Sequence, residues 1–129
     1  MNNNETEIRQ LINNWAKAVR ENNMEGIMAF HASDMVMYDV PPPFESIGLD
    51  AYRETWDTFF KYTRAGVFDI DELHVVAGDD VAFCYAKMHC EDKANKEDYE
   101  RLDFRLTIGL KKVNGQWVIL HEHHSIPAE

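Results

Sequence analysis

Cysteine is scarce and cannot cross-link. Cys84 and Cys90 are the only two, and along one extended strand six residues at ~3.3 Å each would hold them about 20 Å apart, far beyond disulfide reach. Two buried free thiols in a reducing compartment are expected. A basic stripe is also missing: Lys and Arg total 13 against 23 Asp and Glu, the net charge is −10, and Lys111-Lys112 is the single basic pair. A phosphate backbone is repelled by such a surface, so nucleic acid is not an expected partner. No apolar run approaches the roughly 18 residues of a membrane span, and the polar start Met1-Asn2-Asn3-Asn4-Glu5 has no apolar signal core. The expectation is a cytoplasmic protein without membrane contact. There is no Gly-x-Ser-x-Gly elbow, phosphate-cradling glycine loop or Cys-x-x-Cys pair, and no cofactor is expected.

What is present fits one domain over residues 1–129, with 45% apolar and 28% charged residues, an ordinary globular balance. From Glu5 to Arg20, Ile8, Leu11, Ile12, Trp15, Ala18 and Val19 recur at helical spacing and mark one buried face. Ile27, Met28 and Phe30 follow Asn23, a good capping residue, and suggest a short second helix. Met35 to Val40 reads as a strand stopped by Pro41-Pro42-Pro43, since proline cannot donate to a ladder. Gly48-Leu49-Asp50 reads as a turn and N-cap. Tyr52, Trp56, Phe59 and Phe60 then form the aromatic stripe of a third helix ending near Arg64-Ala65-Gly66, with Tyr62 on its flank.

Strands fill the remainder: Val67 to Ala77, the turn Gly78-Asp79-Asp80, Val81 to Glu91, a charged loop Asp92 to Glu97, Asp98 to Val113, and Gln116 to Ile126 after the hairpin turn Asn114-Gly115. Gly109 inside a long strand signals a bulge or bend. This order contains no repeating βαβ unit and predicts an α+β fold. Its mainly antiparallel, strongly bent sheet would be closed by three helices of the N-terminal half into a cone-shaped pocket.

Three local marks accompany that order: Arg105-Leu106-Thr107, the Asn-Gly turn, and a C-terminal run in which Trp117 is followed by a His-x-His-x-Ser pattern at His121, His123 and Ser125. Together they resemble the SnoaL-like and ketosteroid-isomerase-like members of the nuclear transport factor 2 superfamily. The association domain of calcium/calmodulin-dependent protein kinase is similar there too, and its Gly-x-Asp helix start resembles Gly48-Leu49-Asp50. The superfamily hosts enzymes, carriers and oligomerisation domains alike, and fold alone does not choose among them.

The resemblance to ketosteroid isomerase runs without a gap from Trp15 through Asp39 and implies Asp39 as a general base, in an apolar setting made by Met35 and Met37. The alternative is a structural carboxylate at the proline turn. That enzyme's oxyanion hole is not reproduced: its tyrosine position holds Trp15 and its aspartic acid position falls near Thr107, which disfavours steroid isomerisation. Matching the hairpin implies that Leu120, Glu122 and His124 face the cavity, together with Arg105 and Thr107. The kinase association domain adds Tyr52 as a lining position. Arg105, half-buried, would need Glu122, Asp39 or a bound anion as its partner, and a carboxylate ligand suits its fork.

Strict alternation along the last strand puts Trp117, Ile119, His121 and His123 together on one face, and the resemblance implies that this is the outer face and that a homodimer forms through it. His121 and His123 have no third ligand nearby, so no metal is expected. Lys87 and His89 fall either in the pocket or on a solvated face. The expected protein binds a small molecule, an anionic one where Arg105 is its partner. Its walls are Trp15, Trp56, Phe60, Met37 and Leu120, and its polar groups are Asp39, Tyr52, Arg105, Glu122 and His124. If it is an enzyme, Asp39 or His124 moves a proton. The competing reading is a non-catalytic binding or oligomerisation module.

Overall fold

The computed structural model describes residues 3–93 and 98–128. Of the expected charged loop Asp92 to Glu97, residues 94–97 lie outside the described residues.

Helix α1 (Asn3–Arg20) buries Ile8, Ile12, Trp15, Ala16, Ala18 and Val19, the face that its spacing predicted. Helix α2 (Met24–Met28) is capped by Asn23, whose side chain accepts the Gly26 N–H at 3.2 Å. Strand β1 (His31–Tyr38) starts ahead of Met35, the start that the sequence suggested. After the prolines, a two-residue strand β2 (Ser46–Ile47) pairs back onto β1.

Gly48, at φ +87°, opens helix α3 (Leu49–Tyr62), and its N–H ties the helix start to Met35 O at 2.7 Å. The helix ends sooner than expected. Thr63 is already extended, its hydroxyl donates to the Phe59 carbonyl at 2.7 Å, and the chain passes directly into β3 (Thr63–Ala77). The positive φ of Gly66 therefore serves the irregular start of a strand, between Thr63 and Phe68, and not a helix cap.

Strands β4 (Val81–Lys93), β5 (Tyr99–Val113) and β6 (Gln116–Ser125) complete a six-stranded sheet in the order β2-β1-β6-β5-β4-β3. Among the described residues only β1 and β6 run parallel, so the sheet is mixed, open and mainly antiparallel, with three helices: the expected α+β architecture. Edge strand β3 is clipped to α1 by Arg9 and Arg20, which donate to the Leu73 and Phe68 carbonyls at 3.0 Å each. These contacts occupy backbone acceptors that an edge would otherwise expose.

One residue reorganises the inner face. Leu110 pairs with Ile119 but Gly109 pairs with His121, leaving Leu120 as the extra residue of a β-bulge. A one-residue shift exchanges the faces of everything beyond it. Trp117 and Ile119 point inward before the bulge, and Glu122 and His124 point inward after it, all four buried. The outer dimer face expected from the resemblance and strict alternation is thus corrected: Trp117 and Ile119 belong to the core, and of the four residues only His121 and His123 fall outside it.

The bulge also corrects Arg105. Without it Arg105 would stand opposite His124. With it Leu106 pairs with His124 and Arg105 with Ser125. Phe104, Leu106, Ile108 and Leu110 take the inner face, Arg105 and Thr107 the outer one, and Arg105 Nε donates to Ser125 Oγ at 3.2 Å. This choice avoids burying an unpaired guanidinium.

The same parity on β4 places Ala82, Cys84, Ala86, Met88 and Cys90 inside. Lys87 and His89 lie on the other face, with Lys87 3.4 Å from Glu72 and His89 2.9 Å from Asp71. Both cysteines are free and buried, and burial pushes each thiol up to about 12, which makes them poor nucleophiles.

Candidate functional site

The site grows from a carboxylate with no exposure. Glu122, on β6 just past the bulge, is 0% exposed, and both its oxygens are engaged. Oε2 accepts the Tyr52 hydroxyl at 2.7 Å and lies 2.6 Å from His31 Nε2, while Oε1 lies 3.2 Å from His124 Nε2. His124 reaches it because residues two apart on a strand share a face. Tyr52 reaches it from α3, and its oxygen accepts the Trp15 indole N–H at 3.0 Å. Trp15, Tyr52, Glu122, His31 and His124 thus form one buried network drawn from α1, α3, β1 and β6.

His31 Nδ1 lies 3.0 Å from the Ala29 carbonyl, which leaves Nε2 as the atom turned to the carboxylate. Burial pushes the Glu122 carboxyl up, but hydrogen bonds and charge from His124 and His31 outweigh that and hold it at about 2. Burial pulls His124 down, yet the Glu122 hydrogen bond and the charges of Glu122 and Asp39 leave it raised above its ordinary 6.5. Tyr52 is driven well above its ordinary value by burial and by the neighbouring Glu122 charge, which the indoles of Trp56 and Trp15 oppose only in part. The hydroxyl therefore stays a donor.

A cavity of about 660 Å³ lies against this network, within the usual range for small-molecule sites. His124 forms part of its wall beside Trp56, Phe59, Phe68 and Phe104. The His124 ring stacks on Phe104 at 5.8 Å and 6°, and meets Trp56 and Trp15 edge-on at 6.3 and 6.4 Å. These rings are suited to hold an imidazolium. With Nε2 committed to Glu122, His124 Nδ1 has no protein hydrogen-bond partner among the described residues. Asp39 and Met37 also line the cavity; Asp39 is half-buried, and its Oδ1 accepts the Val40 N–H at 2.8 Å.

The expected site residues separate into three groups. Asp39, Trp56 and His124 come together on the cavity wall. Trp15, Tyr52 and Glu122 lie behind it, as a buried support. Arg105 and Leu120 are corrected: neither lines the cavity, because unbroken alternation along β5 leaves Arg105 outward, while the β6 bulge turns Glu122 and His124 inward without it and leaves Leu120 as the unpaired residue. Phe60 packs against the core but is not a lining residue either.

The network member that sequence reasoning missed is His31. It follows Phe30, which sits at φ +59°, and starts a strand that is irregular against β6 as far as Val36. No periodicity marks such a position. Of the two outer histidines, His121 Nδ1 lies 2.7 Å from the Val36 carbonyl and His123 is exposed. Among the described residues no three His, Cys, Asp or Glu side chains are grouped as a metal site. Among them, too, no helix is long and apolar enough to cross a membrane.

Comparison with known proteins agrees with this architecture. A nuclear transport factor 2-like protein of unknown function from Pseudomonas putida KT2440 is 32% identical, with 97% of this chain and 87% of that one covered and a TM-score of 0.85. A ketosteroid isomerase-like protein from Erwinia carotovora atroseptica SCRI1043 is 19% identical, with 97% of each chain covered and a TM-score of 0.81. A candidate calcium/calmodulin-dependent protein kinase II association domain from Xanthomonas campestris is 18% identical, covering 95% of this chain and 87% of that one at a TM-score of 0.79. Among curated proteins none matches the sequence. The SnoaL-like domain model matches residues 8–129, and the chain belongs to the SnoaL-like family.

Proposed function

We propose that this protein is an enzyme of proton-transfer chemistry, an isomerase or lyase acting next to a carbonyl of a small apolar molecule. The observation that carries this reading is His124, set in a cavity wall with Nε2 bound to a fully buried carboxylate and Nδ1 left without a protein partner among the described residues. A charged imidazole so placed donates from Nδ1 to a carbonyl oxygen. Asp39, on the same wall and with a charge that reaches His124, is the base that takes the proton from the neighbouring carbon. With a β,γ-unsaturated ketone, transfer of both protons gives a dienol; Asp39 then returns its proton to the far carbon of the diene while His124 takes back the hydroxyl proton, which restores the carbonyl and moves the double bond into conjugation. Glu122 touches no substrate in this scheme; it is a positioning residue that keeps His124 oriented and charged.

The test uses simple bicyclic ketones such as 2-tetralone, incubated with the protein in D₂O and followed by proton NMR. Protein-catalysed loss of the hydrogens next to the carbonyl, above the buffer rate, is expected. Absence of exchange with every ketone that binds would overturn the reading.

The fold reading extends to assembly and location. A homodimer through the outer sheet face is supported by Val76, Val81, Phe83 and Tyr85, which are 47–64% exposed and neighbours on β3 and β4. Phe83→Glu is expected to convert a dimer to a monomer in sedimentation equilibrium without loss of helical circular dichroism. A wild-type monomer at micromolar concentration would remove the dimer. The two unpaired buried thiols suit a reducing cytoplasm.

A further inference from the structure

The charge of the cavity identifies its guest more closely than its shape. This step rests on the ligand-binding role proposed above. The expected anion site depended on Arg105, and Arg105 is outside. Among the described residues four carboxylates line the cavity instead, Asp39, Glu45, Glu54 and Asp92, against one lysine, Lys93. Glu45, Glu54 and Asp92 are exposed, as is Tyr62, so they make up its solvent side. Glu122 lies deeper and is matched by the histidines that contact it. The mouth thus keeps an excess of negative charge, and a cleft with apolar walls focuses such a field.

A second, independent observation lies on the inner wall. His124, only 8% exposed, lines the cavity, and its Nδ1 has no protein partner among the described residues. The imidazole is a donor there when charged. Such a group calls for an acceptor, and the acceptor must be uncharged or weakly charged to pass the acidic mouth. At the other end, Tyr62 and the carboxylates offer an aromatic face and counter-charges to a cation.

We infer that the cavity selects an amine-bearing apolar ketone, with a neutral oxygen held at the inner wall and an ammonium group at the mouth, and rejects the corresponding carboxylate.

Three probes on one ring system test this: 2-acetylnaphthalene, its 6-aminomethyl derivative and its 6-carboxylate, titrated by calorimetry at low and at 0.3 M salt. The ammonium probe is expected to bind at least tenfold more tightly than the carboxylate at low salt, with the neutral ketone between them. In the triple variant Glu45→Gln, Glu54→Gln, Asp92→Asn the gap should shrink severalfold, with the neutral ketone unchanged. The triple variant Glu7→Gln, Glu21→Gln, Asp79→Asn has the same net charge, altered at exposed positions that do not line the cavity, and should keep the gap. A carboxylate that binds as well as the ammonium, or a gap lost equally in both variants, overturns the inference while leaving the proposed function standing. Failure of all three probes to bind overturns both.

Discussion

Glu122→Gln is expected to lower the folding free energy at pH 7 by about 3–5 kcal/mol, the range for removing one partner of a buried ion pair. For a domain of this size that is roughly a 10–20 °C fall in melting temperature. The cost comes less from the lost attraction than from what remains. Glu122 is the shared acceptor for Tyr52, His31 and His124, with distances of 2.6 to 3.2 Å. An amide offers one oxygen where the carboxylate offered two, and turns N–H donors toward groups that are themselves donors. Urea titration measures the effect, and a loss below about 1 kcal/mol would show that the network is not held by this charge.

The sign of the pH dependence follows from the two titrating partners. Folding holds Glu122 at about 2 against an ordinary 4.5, so its contribution is complete above about pH 4.5 and lost as pH falls toward 2. His124 is raised above 6.5, so its contribution is complete below pH 6.5 and lost as pH climbs through its higher folded value. The stability gap between wild type and Glu122→Gln is therefore widest between about pH 4.5 and 6.5. A gap that grows steadily on the alkaline side of neutrality would contradict this arrangement.

The legibility of the sequence ended at one inserted residue. Helical spacing in α1, the cap at Asn23, the aromatic stripe of α3 and the hairpin at Asn114-Gly115 all follow from local rules, and the fold order came from them directly. The face of each β6 side chain did not. Strict alternation along β6 fails at the bulge, which lies opposite Gly109, the residue that signalled irregularity. Gly109 marks the disturbance, but a glycine does not reveal which strand carries the extra residue. Hairpin matching points Glu122 and His124 inward and Arg105 with them, whereas the partners of Glu122 and His124 are Ile108 and Leu106. The apolar set on β5 contained the correction, since Phe104, Leu106, Ile108 and Leu110 could not share a face with Arg105.

His124→Asn is expected to lower ketone exchange by a factor of about 10²–10⁴, the usual contribution of a positioned acid or base. Asparagine cannot be charged, so the acid that polarises the carbonyl is lost and the cavity wall is otherwise kept. Wild-type exchange should decline on the alkaline side, at a pH above 6.5, as His124 releases its proton; the asparagine variant should not show that decline. Asp39→Asn should reduce exchange to a similar degree with little change in melting temperature, because its hydrogen bond in the fold is a local one to Val40 N–H. The paired variants separate the two roles: a lost alkaline limb identifies the acid, and lost exchange with the limb retained identifies the base. Full exchange in the Asp39 variant would place the base elsewhere, and full exchange in the His124 variant would end the proposal that this imidazole drives the chemistry.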